Sequence, residues 1–478
     1  MEEKTRFSIL FRPTLVYAIL FTFCLYDNAK GILVAVLGLI TVLYCNLIDR
    51  RQMHERKRDR LLYEIAFVLL ALSCGLTDND GIVFFNLVGM LFVLVVMLLH
   101  DHQDDDSWSI KKYLTEMVRT GVNAINGLSH FPNDIREENE QAESGRKKVT
   151  GYILIGLLIA MPMLAIILAL LHSADIVFAS VLNDMFESFD VTTSVLITLM
   201  MVFAFFFTYA GMRYFIRQSP VQPEGERKRY EPIIAITALS AISVVYLLFS
   251  GIQIAYLFIG NMTLPDGYTY AEYAREGFFQ LLAVCALNLM IVLFVLAWFR
   301  EHIVLKVLLS VISGCTYIMI ASSAMRMVMY IREYNLTRKR ILVLWALLVI
   351  GVLLAGVIVQ IFKKDFRLFR YSLAVCVVCY LVLSFGRMDY WIARYDVDHC
   401  VTEHKDRGIQ WFESTAEPDV PLDYLAELSC DAAPIIADYK GSWANDYRES
   451  IYDVQYDTLR QWNLSRYMAR QALKKNGK

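Results

Sequence analysis

Eleven long apolar stretches set the limits on what this chain can fold into. They are Pro13–Tyr26, Gly31–Leu47, Leu61–Thr77, Gly81–His100, Gly151–His172, Val195–Ile216, Ile233–Gly260, Phe279–Phe299, Ile303–Met325, Ile341–Phe362 and Leu368–Phe385. Most are about 18–25 residues long, enough to cross the hydrocarbon core of a bilayer. Inside lipid every backbone N–H and C=O needs an internal partner, and strand-like alternation is absent, so these segments are predicted to be helices. The expected fold is an all-α, polytopic transmembrane bundle of about eleven spans. The first span is short, and Arg12 is expected to snorkel to an interface.

Composition agrees: 57% of the residues are hydrophobic and only 20% charged, whereas a soluble domain is about one-quarter charged. A net charge of −2 and the lack of a basic domain give no reason to expect a nucleic-acid partner. MEEKTRF leads into the first apolar stretch without a small-residue cleavage site, which predicts an uncleaved first span.

Orientation follows from Lys and Arg in the short loops. DRRQMHERKRDR after the second span, Arg227–Arg229 and Lys363–Arg370 are basic and predicted to face the cytoplasm. Ser173–Ser194 contains no Lys or Arg, and Asp78–Asp80 is acidic; both are predicted outside. A cytoplasmic N-terminus, eleven spans and an extracytoplasmic C-terminus satisfy these loops together. The basic IREYNLTRKR, Ile331–Arg340, falls outside against the rule and must pack there on protein or headgroups.

The expected organisation is therefore four spans in residues 1–100, a cytoplasmic loop in 101–150, seven spans in 151–388 and an extracytoplasmic helical domain in 389–478. In the loop, Trp108, Ile110, Tyr113, Leu114, Met117, Val118, Val122 and Ile125 recur at helical spacing with Lys111, Lys112, Glu116 and Arg119 mainly between them. That pattern predicts an amphipathic helix, lying along the interface or folded back on the spans. In the last domain PLDYLAELSCDAAPIIADY reads as a helix or helix pair. TLRQWNLSRYMARQALKK reads as a final helix anchored by Leu459, Trp462, Tyr467 and Leu473.

YTYAEYAREGFFQLL, Tyr268–Leu282, follows the turn residues Pro265, Asp266 and Gly267. Thr269 and Glu272 have capping-box spacing, so a helix is predicted to start outside and run into the membrane. Its candidate functional polar residues are Glu272, Arg275 and Glu276, either anchoring the span at the interface or forming an outer gate or docking element. Within the spans, Gln253, Asn288 and Arg326 complete the candidate set, because polar groups in hydrocarbon are costly unless they join helices or serve a function. Glu64 is expected to pair with the nearby arginines, and Arg213 to snorkel.

Seven of the nine cysteines lie in apolar blocks and read as packing residues; Cys400 and Cys430 in the tail can pair if it is extracytoplasmic. DVDHCVTEH, Asp396–His404, places possible zinc ligands at i, i+4, but no second ligand pair stands at zinc-site spacing, so no metal is expected. No P-loop, G-x-S-x-G, H-E-x-x-H or dinucleotide fingerprint occurs. No cofactor and no enzymatic activity are expected.

Five stretches carry a resemblance: YAEYAREGFFQLLAVCALNL (Tyr270–Leu289), RMVMYIREYNLTRKRIL (Arg326–Leu342), DYWIARYDVD (Asp389–Asp398), LDYLAELSCDAAP (Leu422–Pro434) and WNLSRYMARQAL (Trp462–Leu473). Together they resemble a bacterial multi-span membrane family classed as a domain of unknown function, best matched in the second half of the chain. The resemblance implies a polytopic membrane protein and supplies no reaction. The expected role is a sensor or interaction component in the bacterial inner membrane, with a protein partner at the cytoplasmic loop or C-terminal domain. The alternative is a transporter or channel for a small solute.

Overall fold

The computed structural model describes residues 7–52, 56–105, 108–141, 191–217, 230–255, 277–363, 365–406, 423–439, 442–451 and 459–476, with single positions between 156 and 171. The apolar runs become helices α1 (Phe7–Leu25), α2 (Leu33–Arg51), α3 (Arg60–Cys74) and α4 (Asp80–His102). The loop that follows carries α5 (Ile110–Gly127) and α6 (Phe131–Gln141). Then come α7 (Val191–Arg217), α8 (Pro232–Gln253), α9 (Phe278–Trp298), α10 (Ile303–Tyr334), α11 (Arg338–Phe362) and α12 (Leu368–Phe385). The tail holds α13 (Met388–Asp406), single turns at Asp423–Ala426 and Ala433–Ile436, α14 (Ser442–Ser450) and α15 (Leu464–Asn476). Among the described residues there is no strand, and one isolated bridge joins Tyr230 to Phe299.

Eight of these helices, α2, α4 and α7–α12, are long and apolar enough to cross a membrane, and α1 contributes a shorter apolar segment, Ile9–Leu25. The span expected at Gly151–His172 lies almost wholly outside the described residues. The protein is a polytopic helical bundle. α1 packs on α2 and α7, α3 on α2, α4 and α12, and α10 on α8, α9 and α11. Lipid offers no hydrophobic drive between helices, so close approach and hydrogen bonds must join them. Gly38 of α2 illustrates the first: a Cβ there would lie 2.6 Å from the Ala71 Cβ of α3. Interhelix bonds such as Thr14 to Tyr44 (2.7 Å) and Tyr17 to Thr41 (2.9 Å) illustrate the second.

The bundle has two distinct ends. At the basic-loop end, Phe7 meets Phe131 of α6 and Tyr209 of α7, with ring centroids 5.6 and 5.9 Å away. The tail end gathers the turns after α1, α3, α10 and α12, and the C-terminal helices sit on them. Ile32 N–H donates to the Trp462 carbonyl (2.8 Å), and Leu464 N–H to that of Gly75 (2.9 Å). The chain thus begins at one end and finishes at the other.

The structure decides one local expectation and revises another. α5 forms, and its buried face carries Tyr113, Glu116, Thr120 and Ala124 and packs on α7. Leu114, Val118, Val122 and Ile125 form an exposed apolar stripe. The helix therefore folds back on the spans and keeps its oily side outward. In α15 the buried positions are the small Ser465 and Ala469, while Tyr467, expected as an anchor, is 45% exposed. Small residues win there because α15 lies tight against the turns of the bundle.

Candidate functional site

Asp389, at the start of α13, gathers five donors at the tail end. Its two oxygens accept Nε and Nη2 of Arg338, each at 2.7 Å, in a planar fork. They also accept the Asn79 amide (3.0 Å), the Ser429 N–H (3.0 Å) and the Ser429 hydroxyl (2.6 Å). Two segments of the bundle, the turn before α4 and the start of α11, thus meet the tail at one carboxylate of α13. Burial works to raise the Asp389 pKa, but the Arg338 fork and the Ser429 donors outweigh it and hold the acid below its usual range. The basic Ile331–Arg340 turn, which broke the loop-charge rule, finds its counter-charge here. The same turn also offers Leu336 N–H to Asp396 (2.7 Å) and Arg338 N–H to the Tyr424 hydroxyl (3.0 Å).

A second carboxylate, Asp431, accepts from Thr77 (2.5 Å) and from Arg387 Nε (3.2 Å). Burial dominates at Asp431 and its pKa is raised. Asn463 closes the interface: its amide nitrogen donates to the carbonyls of Lys30 (2.6 Å), Cys74 (3.3 Å) and Thr77 (2.9 Å). Its oxygen meanwhile accepts Ser465 N–H at 2.9 Å, at the start of α15. Arg466 adds a bond to Asp78 (2.8 Å), in the acidic turn Asp78–Asp80. Cys430 is a free, fully buried thiol in this interface.

The basic-loop end carries its own buried network. α3 is only 15 residues long, so its first residue, Arg60, starts inside the packed bundle and is 2% exposed. A charge at that depth needs partners. Arg60 bonds to Asp49 (2.5 Å), to Glu64 (3.0 Å) and to Asp101. Beside it, Asp105 accepts from Lys57 (3.2 Å), Arg370 (3.0 Å) and Tyr113, and lies 2.8 Å from His100 Nδ1. Burial opposes ionisation of Asp105, yet His100, Tyr113 and Arg370 together hold its pKa well below the usual range. Arg213, expected to snorkel, instead bonds to Asp134 of α6, which also accepts from Tyr209 (2.8 Å) and Arg217 (3.1 Å).

The polar residues singled out in the spans lie along the α8–α9–α10 seam. Asn288 is fully buried; its amide donates to Thr316 (2.9 Å) and its oxygen accepts the Tyr246 hydroxyl (2.7 Å). Gln253 accepts from Ser322 at 2.6 Å. Arg326, 9% exposed, extends towards the start of α9, where a Cβ on Gly277 would lie 3.0 Å from its Nη1. Gly277 has φ +98°, a left-handed conformation that glycine adopts without the steric cost of a side chain. Glu272, Arg275 and Glu276 lie outside the described residues. No group of metal-binding side chains occurs among the described residues.

A family model described as a domain of unknown function, DUF4153, matches residues 65–439. The chain belongs to the DUF4153 family. Comparison with curated proteins and with solved structures finds no match. The DUF4153 match begins inside α3 and takes in the Asp389 and Asp431 centres. It stops short of Asn463, and α1, α2 and Arg60 lie before it.

Proposed function

We propose that this protein is a non-enzymatic sensor or interaction component of the bacterial cell membrane, with its N-terminus in the cytoplasm. The C-terminal helices form an extracytoplasmic domain that receives a protein partner or signal. The observation that carries this reading is the five-donor Asp389 centre, which ties the tail to the ends of several spans. A change in the tail is thereby felt directly by α4 and α11. The basic loops before α3 and before α12 support the orientation.

The α8–α10 seam argues against conduction. The polar atoms of Gln253 and Asn288 that would greet a solute are engaged between helices. They act as the glue of the bundle.

The test pairs a C-terminal topology reporter with photocrosslinking from Trp391, which is 59% exposed on α13. A reporter active outside the cytoplasm and a discrete protein adduct in native membranes are the expected results. Reporter activity inside the cytoplasm overturns the orientation. Solute uptake by proteoliposomes that Asn288→Leu abolishes overturns the role.

A further inference from the structure

A groove of about 960 Å³ runs along the lipid-facing side of α1 and α2. Its floor is the stacked pair Tyr17 and Tyr44, with ring centroids 4.7 Å apart. Both hydroxyls are turned into the bundle on Thr41 and Thr14, so the rings are left as an apolar surface. The walls are aliphatic and open, with Val16 57% and Leu43 66% exposed. Its polar end carries two arginines: Arg12 from α1 and Arg51 from the end of α2 both line it and both are exposed. Neither meets a carboxylate among the described residues. A buried counter-ion is what every other arginine described above at this end of the bundle has acquired, as Arg60 and Arg213 show.

We propose that this groove binds one anionic phospholipid, its phosphate held by Arg12 and Arg51 and an acyl chain laid along Val16 and Leu43 over the two tyrosines. Three features select this occupant. The groove is apolar along its length, which fits a hydrocarbon chain and excludes a soluble metabolite. Two cations stand at one end, which fits a phosphate and disfavours a zwitterionic headgroup. That end is the basic-loop end, where an anionic leaflet attracts arginine. From Arg12 to Leu20 the groove follows about 12 Å of helix, enough for the upper half of an acyl chain.

The full-length protein is tested in nanodiscs of phosphatidylcholine with a minor share of phosphatidylglycerol, the retained lipid being read by native mass spectrometry. One phosphatidylglycerol is expected to stay with the protein in preference to phosphatidylcholine. With a contribution of about 1 kcal/mol per cation, Arg12→Gln with Arg51→Gln is expected to lower that preference about tenfold to thirtyfold. If the double variant does not fold, Arg51→Gln alone, at an exposed helix end, is expected to lower it about fivefold. Leu43→Trp, which fills the groove, is expected to release the lipid while helicity is kept. An unchanged preference in the arginine variants, or full retention in Leu43→Trp, overturns the proposal. So does displacement of the lipid by millimolar inorganic phosphate, which would make the site one for the free anion.

Discussion

Removing the Asp389 carboxylate should loosen the tail from the bundle without unfolding the spans. Asp389→Ala strands Arg338, Ser429 and Asn79 at once. Breaking a buried charge pair costs about 3–5 kcal/mol, chiefly because the remaining charge is left without compensation. Arg338 keeps 31% of its side chain in contact with solvent, against none for Asp389, so it can partly rehydrate. The lower end, about 3 kcal/mol, is therefore expected, a rise of about a hundredfold in the opening of the interface. Native-state hydrogen exchange of the α15 amides reads that opening directly. Asp389→Asn keeps the shape and one acceptor and should fall between the variant and the parent. If Asp389→Ala leaves α15 protection within about threefold of the parent, the carboxylate is not what holds the tail.

The other end of the bundle should be less forgiving. Arg60→Leu leaves Asp49 and Asp101, 1% and 4% exposed, without their shared cation; a loss of about 3–5 kcal/mol is expected, seen as a lowered melting temperature in detergent. Adding Asp49→Asn and Asp101→Asn should recover most of it. Burial raises Asp396 from 3.8 to about 7, against the Leu336 N–H and Arg340 that oppose the shift. The fold therefore favours the protonated acid, and this contribution is fully present below pH 3.8 and lost as pH rises through about 7. Exchange protection of the Leu336 region should fall from pH 5 to pH 8.5, and Asp396→Asn should flatten that dependence. Gly277→Ala forces a side chain into a left-handed site and against Arg326; a cost of about 1–2 kcal/mol in thermal stability is expected.

The spans were legible because hydrocarbon imposes a single demand, long apolar helices, and the runs obey it to within a few residues at most ends. The Arg60–Glu64 pair was legible too, since i, i+4 neighbours meet on any helix. The two end networks were not. Asp389 and Asn79 are 310 positions apart, and a lone Asp after a span looks in sequence like any solvated loop acid. The basic turn before α11 was a usable signal: a loop whose charge conflicts with that of the other loops at its end of the bundle calls for a counter-charge, and Asp389 supplies it to Arg338. α5 was legible as a helix. Its period predicted an amphipathic helix but not which face meets the spans: its small and polar residues sit against α7 and the apolar stripe is left outward.

Asn463 joins the first helical hairpins to almost the last helix of the polypeptide. When α2, α3 and α4 leave the ribosome and enter the bilayer, the carbonyls of Lys30, Cys74 and Thr77 still await a donor that is synthesised 433, 389 and 386 residues later. This clasp on the early helices therefore closes only after residue 463 has been made. Truncation of the chain before Asn463 would leave the turns before α2, after α3 and before α4 without this clasp, a defect that quality-control proteases can read.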